Sequence, residues 1–439
     1  MINGKPNGNA GQTTAAIVEW PQPITEDGMY GIAGEYVRLV EPHTEGDRNI
    51  ILLSFLCYAG NLLGRNVYVR TGADRHYPNL YLCPVGTTGT GRKGSGVAAA
   101  KAFFSEGNLA PGLPHLLNGI SSGEGVMVQV RDPQMRRELN RKTGKIEEFI
   151  ADPGVSDKRM LISLGEFQQY IAAMRRQDSI LSSVLRQAWD TGTIASPSKN
   201  NEVKVNGAHI SLIGCISKEE LLIETTAVDA QNGTLNRFLF AASQRSRLLP
   251  EGGEFDSLIE SSAWSDLQRQ FNQNIAGITG TTERLERDSD TQDEWGRNTS
   301  PNQGLYKQLS QPRLGLWGSV TARAAQQVIR LSLISAKING HTRIQGQDQA
   351  AAYEIWRYCD HSARYIFGDR LNDNLSSRIM TALRDVGEGG LTRNQIHEVV
   401  HRPSSEIQES LAWLAQTGIA YCHVKPTGGR PVETWFASL

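Results

Sequence analysis

Residues 79–104 read NLYLCPVGTTGTGRKGSGVAAAKAFF, and the architecture expected of the whole chain follows from them. Asn79 to Val85 is a short apolar run of strand character. A glycine-rich turn follows, Gly86-Thr-Thr88-Gly89-Thr-Gly91-Arg92-Lys93-Gly94-Ser95, and then VAAAKAFFSEG, with the composition of a helix. Strand, glycine-rich turn and helix in this order form the layout of a phosphate-binding loop. Glycines let successive backbone N–H groups curl around phosphate oxygens, and the helix adds the positive end of its dipole. Gly86, Thr88, Gly89, Gly91, Arg92, Lys93, Gly94 and Ser95 are therefore the expected phosphate-contacting residues. The match to the GxxxxGK[ST] pattern is imperfect: counted from Gly86, Arg92 stands where lysine is expected and Lys93 where Ser or Thr is expected. The alternative register gives the lysine role to Lys93 and inserts Gly94 before Ser95. It keeps a cation for the β- and γ-phosphates and a hydroxyl for Mg²⁺, and is preferred. The competing reading is a flexible Gly/Thr surface loop.

Working outward, further apolar runs occur at MLISL (160–164), HISLIGCI (209–216) and RFLFAA (237–242), with helical stretches such as 180–189 between them. Apolar runs alternating with helices predict a parallel sheet covered on both faces. Upstream, ILLSFLCYAGNLL has helical apolar density ending at Gly64, and VYVR (67–70) alternates like a strand. Residues 280–303 are polar and read as a linker, and 320–368 as one or two long helices. The chain then changes character: helices are expected at 376–386, after the N-cap Thr392, and from Ser404 or Ser405 to Leu414. The short strands IAYCHVK and PVETWF follow. Three helices and a hairpin make a winged helix. The expected organisation is a disordered tail (1–25), a helical and strand lead-in (26–75), a phosphate-loop core (76–280), a helical region packed on it (304–370) and a winged helix (374–439).

Four residues beyond the loop are candidates for chemistry. Glu124, in SSGEG, could orient an attacking water, its alternative being an exposed turn residue. Glu166, after the MLISL run, stands where the Mg²⁺-side acid of a Walker B strand belongs, or starts a helix. His209 could sense a γ-phosphate or be a satisfied core histidine. Arg237 could stabilise transferring phosphoryl charge from a neighbouring subunit or be a surface arginine. In the C-terminal part, Arg393, Arg402, Lys425 and Arg430 are the candidate DNA contacts, because the third helix itself carries Glu406 and Glu409.

Lys plus Arg number 45 and Asp plus Glu 46, so no global charge draws the chain to nucleic acid and any DNA contact must be a local patch or a ring of subunits. Five dispersed cysteines without a CxxC pair argue against a disulfide framework or zinc site and for a reduced, cytoplasmic setting. The longest apolar run, Ile50 to Leu56, is far short of the roughly 20 residues of a membrane span, so no membrane association is expected. The first residues lack the apolar stretch of a signal peptide.

Taken together, GRKGSG, SSGEG, LGEF, RQAWDTG, GAHISLIGCISKEELL, NGTLNRFLF and SRLLPEGG, in this order, resemble a P-loop domain family of unknown function. It is found in phages, plasmids and integrated elements, often behind a primase-polymerase domain. The resemblance covers about residues 30–370, and RYIFGD (364–369) and the C-terminal region extend it. The family is similar to RecA-type hexameric helicases. The resemblance implies a RecA-like α/β core, ATP and Mg²⁺ as ligands, DNA as partner and a homo-oligomeric, hexameric ring. By it Lys93 and Ser95 match the phosphate-loop pair, with Ser95 and Glu166 on the metal. Glu124 matches the water-activating acid, His209 the γ-phosphate sensor and Arg237 an arginine finger. The chain departs from the pattern in reading GRKGS for GKS and in offering Glu166 where an Asp is usual.

Overall fold

The apolar runs become strands of a single parallel sheet in the computed structural model of the chain. The structure describes residues 19–106, 115–140, 144–196, 203–225, 233–278, 282–296, 304–313, 315–368, 375–416, 420–425 and 432–437. Along the chain come β1 (Val67–Thr71), β2 (Asp74–His76), β3 (Tyr81–Val85), β4 (His115–Leu117), β5 (Gln134–Asn140) and β6 (Lys145–Asp152). They are followed by β7 (Arg159–Leu164), β8 (Ile194–Ser196), β9 (Val203–Val205), β10 (His209–Gly214) and β11 (Phe238–Ala242). The central sheet runs β11-β3-β10-β7-β4, all parallel. The protein is thus mixed α/β, with a five-stranded all-parallel sheet.

Unbroken apolar runs suit strands buried on both faces, because side chains alternate sides. Leu80, Leu82, Leu161, Ile213 and Leu239 enter one apolar cluster with the helices Gly31–Val40, Arg48–Leu63, Lys93–Ser105 and Ala324–Ile338. Tyr81, Cys83, Met160, Ile162, Ile210 and Phe240 enter the other, with Leu181–Asp190 and the end of Gly346–Phe367.

The Arg48–Leu63 helix is apolar around its circumference, and every residue from Asn49 to Leu63 is buried. A helix of this kind belongs inside a core. Asp47 caps it, accepting from the Asn49 N–H at 2.9 Å, and Gly64 ends it at φ +64°. Its buried Asn61 is used internally: the side-chain amide donates to the carbonyls of Met160 (3.0 Å) and His209 (3.3 Å) and ties β7 to β10.

The polar stretch expected to be a linker holds β12 (Glu283–Arg284), paired parallel with β1, and a helix, Ser289–Gly296. The long helical region resolves into Ala324–Ile338 and Gly346–Phe367. Further on, the helices Leu375–Val386, Arg393–Val400 and Ser404–Gln416 accompany a sheet of β13 (Leu391–Thr392), β14 (Ala420–Lys425) and β15 (Val432–Ala437), antiparallel in the order β13-β15-β14. They share their own core of Ile379, Leu383, Ile396, Leu411 and Trp435. Thr392 is the N-cap the sequence predicts, in a reciprocal capping box with Gln395. No helix among the described residues is long and apolar enough to cross a membrane.

Candidate functional site

The chain leaves β3 directly into the glycine-rich turn. The Gly86 N–H bonds the Ile216 carbonyl just past β10, and a Cβ at Gly86 would lie 2.4 Å from the Ser243 carbonyl oxygen past β11. The loop therefore starts wedged between its two neighbouring strands, where only glycine fits. It folds back on itself through Thr90 N–H to Thr88 O (2.8 Å) and Gly91 N–H to Thr87 O (3.1 Å), with Gly89 at φ +72°. Ser243 ties it down from β11, its hydroxyl donating to Gly91 O at 2.8 Å.

The helix begins at Lys93. The first amide bonded within the helix is Gly96 N–H, to Arg92 O, so the N–H groups of Lys93, Gly94 and Ser95 have no carbonyl behind them and form the usual open donors of a helix start. The Lys93 ammonium reaches back over the turn to the carbonyls of Gly86 (2.8 Å) and Thr87 (3.1 Å). Partial burial draws its pKa below the ordinary lysine value. Lys93 thus spans the loop, while Arg92, at φ 44°, turns away to Glu45, its Nε 2.6 Å from the carboxylate. The Leu249 N–H holds the Glu45 carboxyl below the usual range, with Arg92 and Arg245 adding to it.

Ser95 lines a cavity of about 580 Å³ with Arg92, Glu45, His43, Leu249 and Phe255. One helical residue is about 100° of rotation, so the inserted Gly94 places Ser95 about 100° further round the helix than a hydroxyl directly after Lys93 would be. Gly46 packs against Gly96 so closely that a Cβ would lie 2.7 Å from its Cα, which presses the 43–46 segment onto the helix start. The buried Asp47 next to it accepts from Gln244 N–H at 3.0 Å and so joins this segment to the exit of β11. Sequence reading attached no role to Glu45, Ser243 or Phe255. The one available signal was SRLLPEGG, whose Leu249, Pro250 and Gly252 form a wall of the cavity.

Parallel strands share one carboxyl edge, the usual place for ligands in open α/β sheets. The Gly86–Ser95 loop, Glu124 after β4 and Glu166 after β7 all lie on it; both carboxylates are exposed. His209 and Arg237 do not. Each opens its strand, so each lies at the opposite edge, about 17–20 Å along the strand direction at ~3.3 Å per residue. His209 is buried, with Nε2 2.9 Å from the Gly60 carbonyl, and burial pushes its pKa down to about 3. It is a neutral core histidine and not a sensor at the loop. Arg237 is 6% exposed and bonds both oxygens of Asp190, at 2.5 and 3.3 Å, as well as the Gly233 carbonyl. A residue so held is not presented to a neighbouring subunit. Among the described residues no group of three His, Cys, Asp or Glu is placed to hold a metal ion.

In the C-terminal part, Arg402 is exposed, whereas Arg393 is paired with Glu433 at 2.8 Å. Arg430 lies outside the described residues, as does the side chain of Lys425. Compared with models of known protein families and with curated proteins, the chain matches none.

Proposed function

We propose that the chain is a P-loop ATPase that acts on DNA, a motor or helicase-like protein of a mobile genetic element working as a ring. The observation that carries this reading is the Lys93 ammonium drawn over the Gly86–Ser95 turn at the carboxyl end of β3, an inner strand of the parallel sheet, beside a nucleotide-sized cavity. A triphosphate would take over the hydrogen bonds that Lys93 gives to Gly86 and Thr87, and the open N–H groups of Lys93, Gly94 and Ser95 would cradle the same oxygens. Glu124 and Glu166, on the same edge, are the groups available to orient a water. Mg²⁺ enters with the substrate, held mainly by phosphate oxygens. Gly94 sets Ser95 one residue further from the lysine than the usual pattern, and Ser95, which lines the cavity, with Glu166 on the same edge are the groups of the chain that would complete its coordination. The C-terminal helices and sheet are read as a winged helix offering Arg402 to DNA.

A second reading is favoured by that same Gly94 and by the withdrawal of His209 and Arg237 from the loop edge: a nucleotide-gated DNA-binding or assembly protein with little turnover. Equilibrium ATP binding and DNA-stimulated phosphate release, measured on wild type and Lys93→Ala, decide the matter. Binding and release that both fall in Lys93→Ala support the motor. Binding without release selects the gated protein, and equal binding by the two proteins overturns both.

A further inference from the structure

At the amino edge of the sheet, away from the phosphate loop, lies a second cavity of about 490 Å³. Its lining includes Arg75, His76, Tyr77, Trp189, Arg323 and Arg330. Arg330 is fully buried, and its partners are neutral: Nη1 donates to the Asn79 carbonyl (2.7 Å) and Oδ1 (2.6 Å), and Nη2 to the Trp189 carbonyl (2.7 Å). Its guanidinium stacks 3.5 Å above the Trp189 ring, and Arg323 and Arg237 lie 5.2 and 5.7 Å from the same ring. Arg65 sits 3.9 Å over the ring of Tyr77. Against these four guanidiniums stands the carboxylate of Asp190, already shared by Arg237 and Arg323 (3.4 Å). Asp74, also on the lining, is exposed.

Buried cations normally come with paired anions, because taking an unpaired charge out of water is costly. Two donors are moreover unspent: Arg330 Nε and Trp189 Nε1 are buried and have no hydrogen-bond partner among the described residues. Burial, and then the neighbouring Arg65, hold the Arg330 pKa well below its ordinary value, and burial and Arg330 push His76 down to about 4. The cluster is thus short of negative charge and of acceptors, and both Trp189 and Arg330 line the cavity.

We propose that this cavity is an anion site for phosphate groups, separate from the Gly86–Ser95 loop, with Arg75 and Arg323 at its mouth and Arg330 and Trp189 at its floor. Planar guanidiniums match phosphate oxygens two at a time, and the aromatic rings beside them keep the guanidiniums in place. The phosphate arrives either on a free nucleotide or in a nucleic-acid backbone.

The test uses the full chain carrying Lys93→Ala, which removes the loop cation and leaves the second cavity intact. Pyrophosphate binding is measured by equilibrium dialysis in this background and after adding Arg75→Glu or Arg323→Ala. Arg330 is left alone because its loss would endanger folding, and melting curves check that the variants are folded. Saturable binding that weakens tenfold or more with either change supports the site. An oligothymidylate that displaces pyrophosphate identifies the source as a nucleic-acid backbone, and displacement by a mononucleotide alone identifies a free nucleotide. No saturable binding in Lys93→Ala, or binding indifferent to both Arg75→Glu and Arg323→Ala, overturns the proposal. The loop reading is untouched by either result, since it is judged on wild type against Lys93→Ala.

Discussion

Replacing Arg237 by alanine separates a brace from an arginine finger. The guanidinium bonds both carboxylate oxygens of Asp190 and the Gly233 carbonyl, and Gln327 in turn donates to the Arg237 carbonyl at 2.9 Å. Truncation leaves Asp190 with Arg323 alone, at 3.4 Å, and leaves Gly233 O without that donor. Breaking a fully buried ion pair costs about 3–5 kcal/mol. Asp190 is 35% exposed, so water and Arg323 recover part of this, and about 2 kcal/mol is expected. At roughly 2–4 °C per kcal/mol for a unit of this size, the melting midpoint falls by about 4–8 °C. The assay is a thermal melt followed by circular dichroism, with ATP hydrolysis measured well below the onset of melting. A brace lowers the midpoint and leaves hydrolysis within a few-fold. A finger leaves the midpoint alone and lowers kcat by roughly 10³ or more. Should Arg237→Ala melt with wild type and lose hydrolysis, the structural assignment is wrong.

Lys93→Ala should weaken ATP binding by about 10- to 100-fold, the worth of a charged hydrogen bond at roughly 1.5–3 kcal/mol, and titration calorimetry reads it directly. Its effect on the melting midpoint without nucleotide should be small, because the carbonyls it leaves are reachable by water. Gly46→Ala forces the 43–46 segment off the start of the Lys93–Ser105 helix, and a loss of about 1–3 kcal/mol in urea unfolding is expected, together with weaker nucleotide binding. Acid should destabilise the core through His209. With a folded pKa of about 3 against an ordinary value near 6.5, the unfolded chain binds the proton first, so this contribution is complete above about pH 6.5 and is lost as pH falls toward 3. The limiting slope is about 1.4 kcal/mol per pH unit, and His209→Gln should flatten the stability profile in that window.

The central strands were legible because strands covered on both faces spell continuous apolar runs: NLYLCPV, MLISL, HISLIGCI and RFLFAA match β3, β7, β10 and β11 to within two residues at each end. β4 was not, since three residues at a sheet edge carry no such run, and neither was β12, whose pairing with β1 depends on residues more than two hundred positions away. At the site, Lys93 could be chosen from chemistry alone, as the cation that keeps a hydroxyl nearby. His209 and Arg237 could not be placed, because motif order says nothing of direction along a strand. Both stand at the head of their runs, and in an all-parallel sheet that puts them at the edge facing away from the loop.

The enclosed helix Arg48–Leu63 has a consequence for how the chain is made. Part of its wall is the Ala324–Ile338 helix, whose Ile334 stands beside Gly60. At about 5–20 residues per second, the ribosome needs roughly 14–55 seconds to reach that wall after finishing the enclosed segment. Through that interval one of the most oily stretches of the polypeptide has no complete lodging, and nascent-chain chaperones should be found bound between residues 48 and 63 until synthesis has passed residue 338.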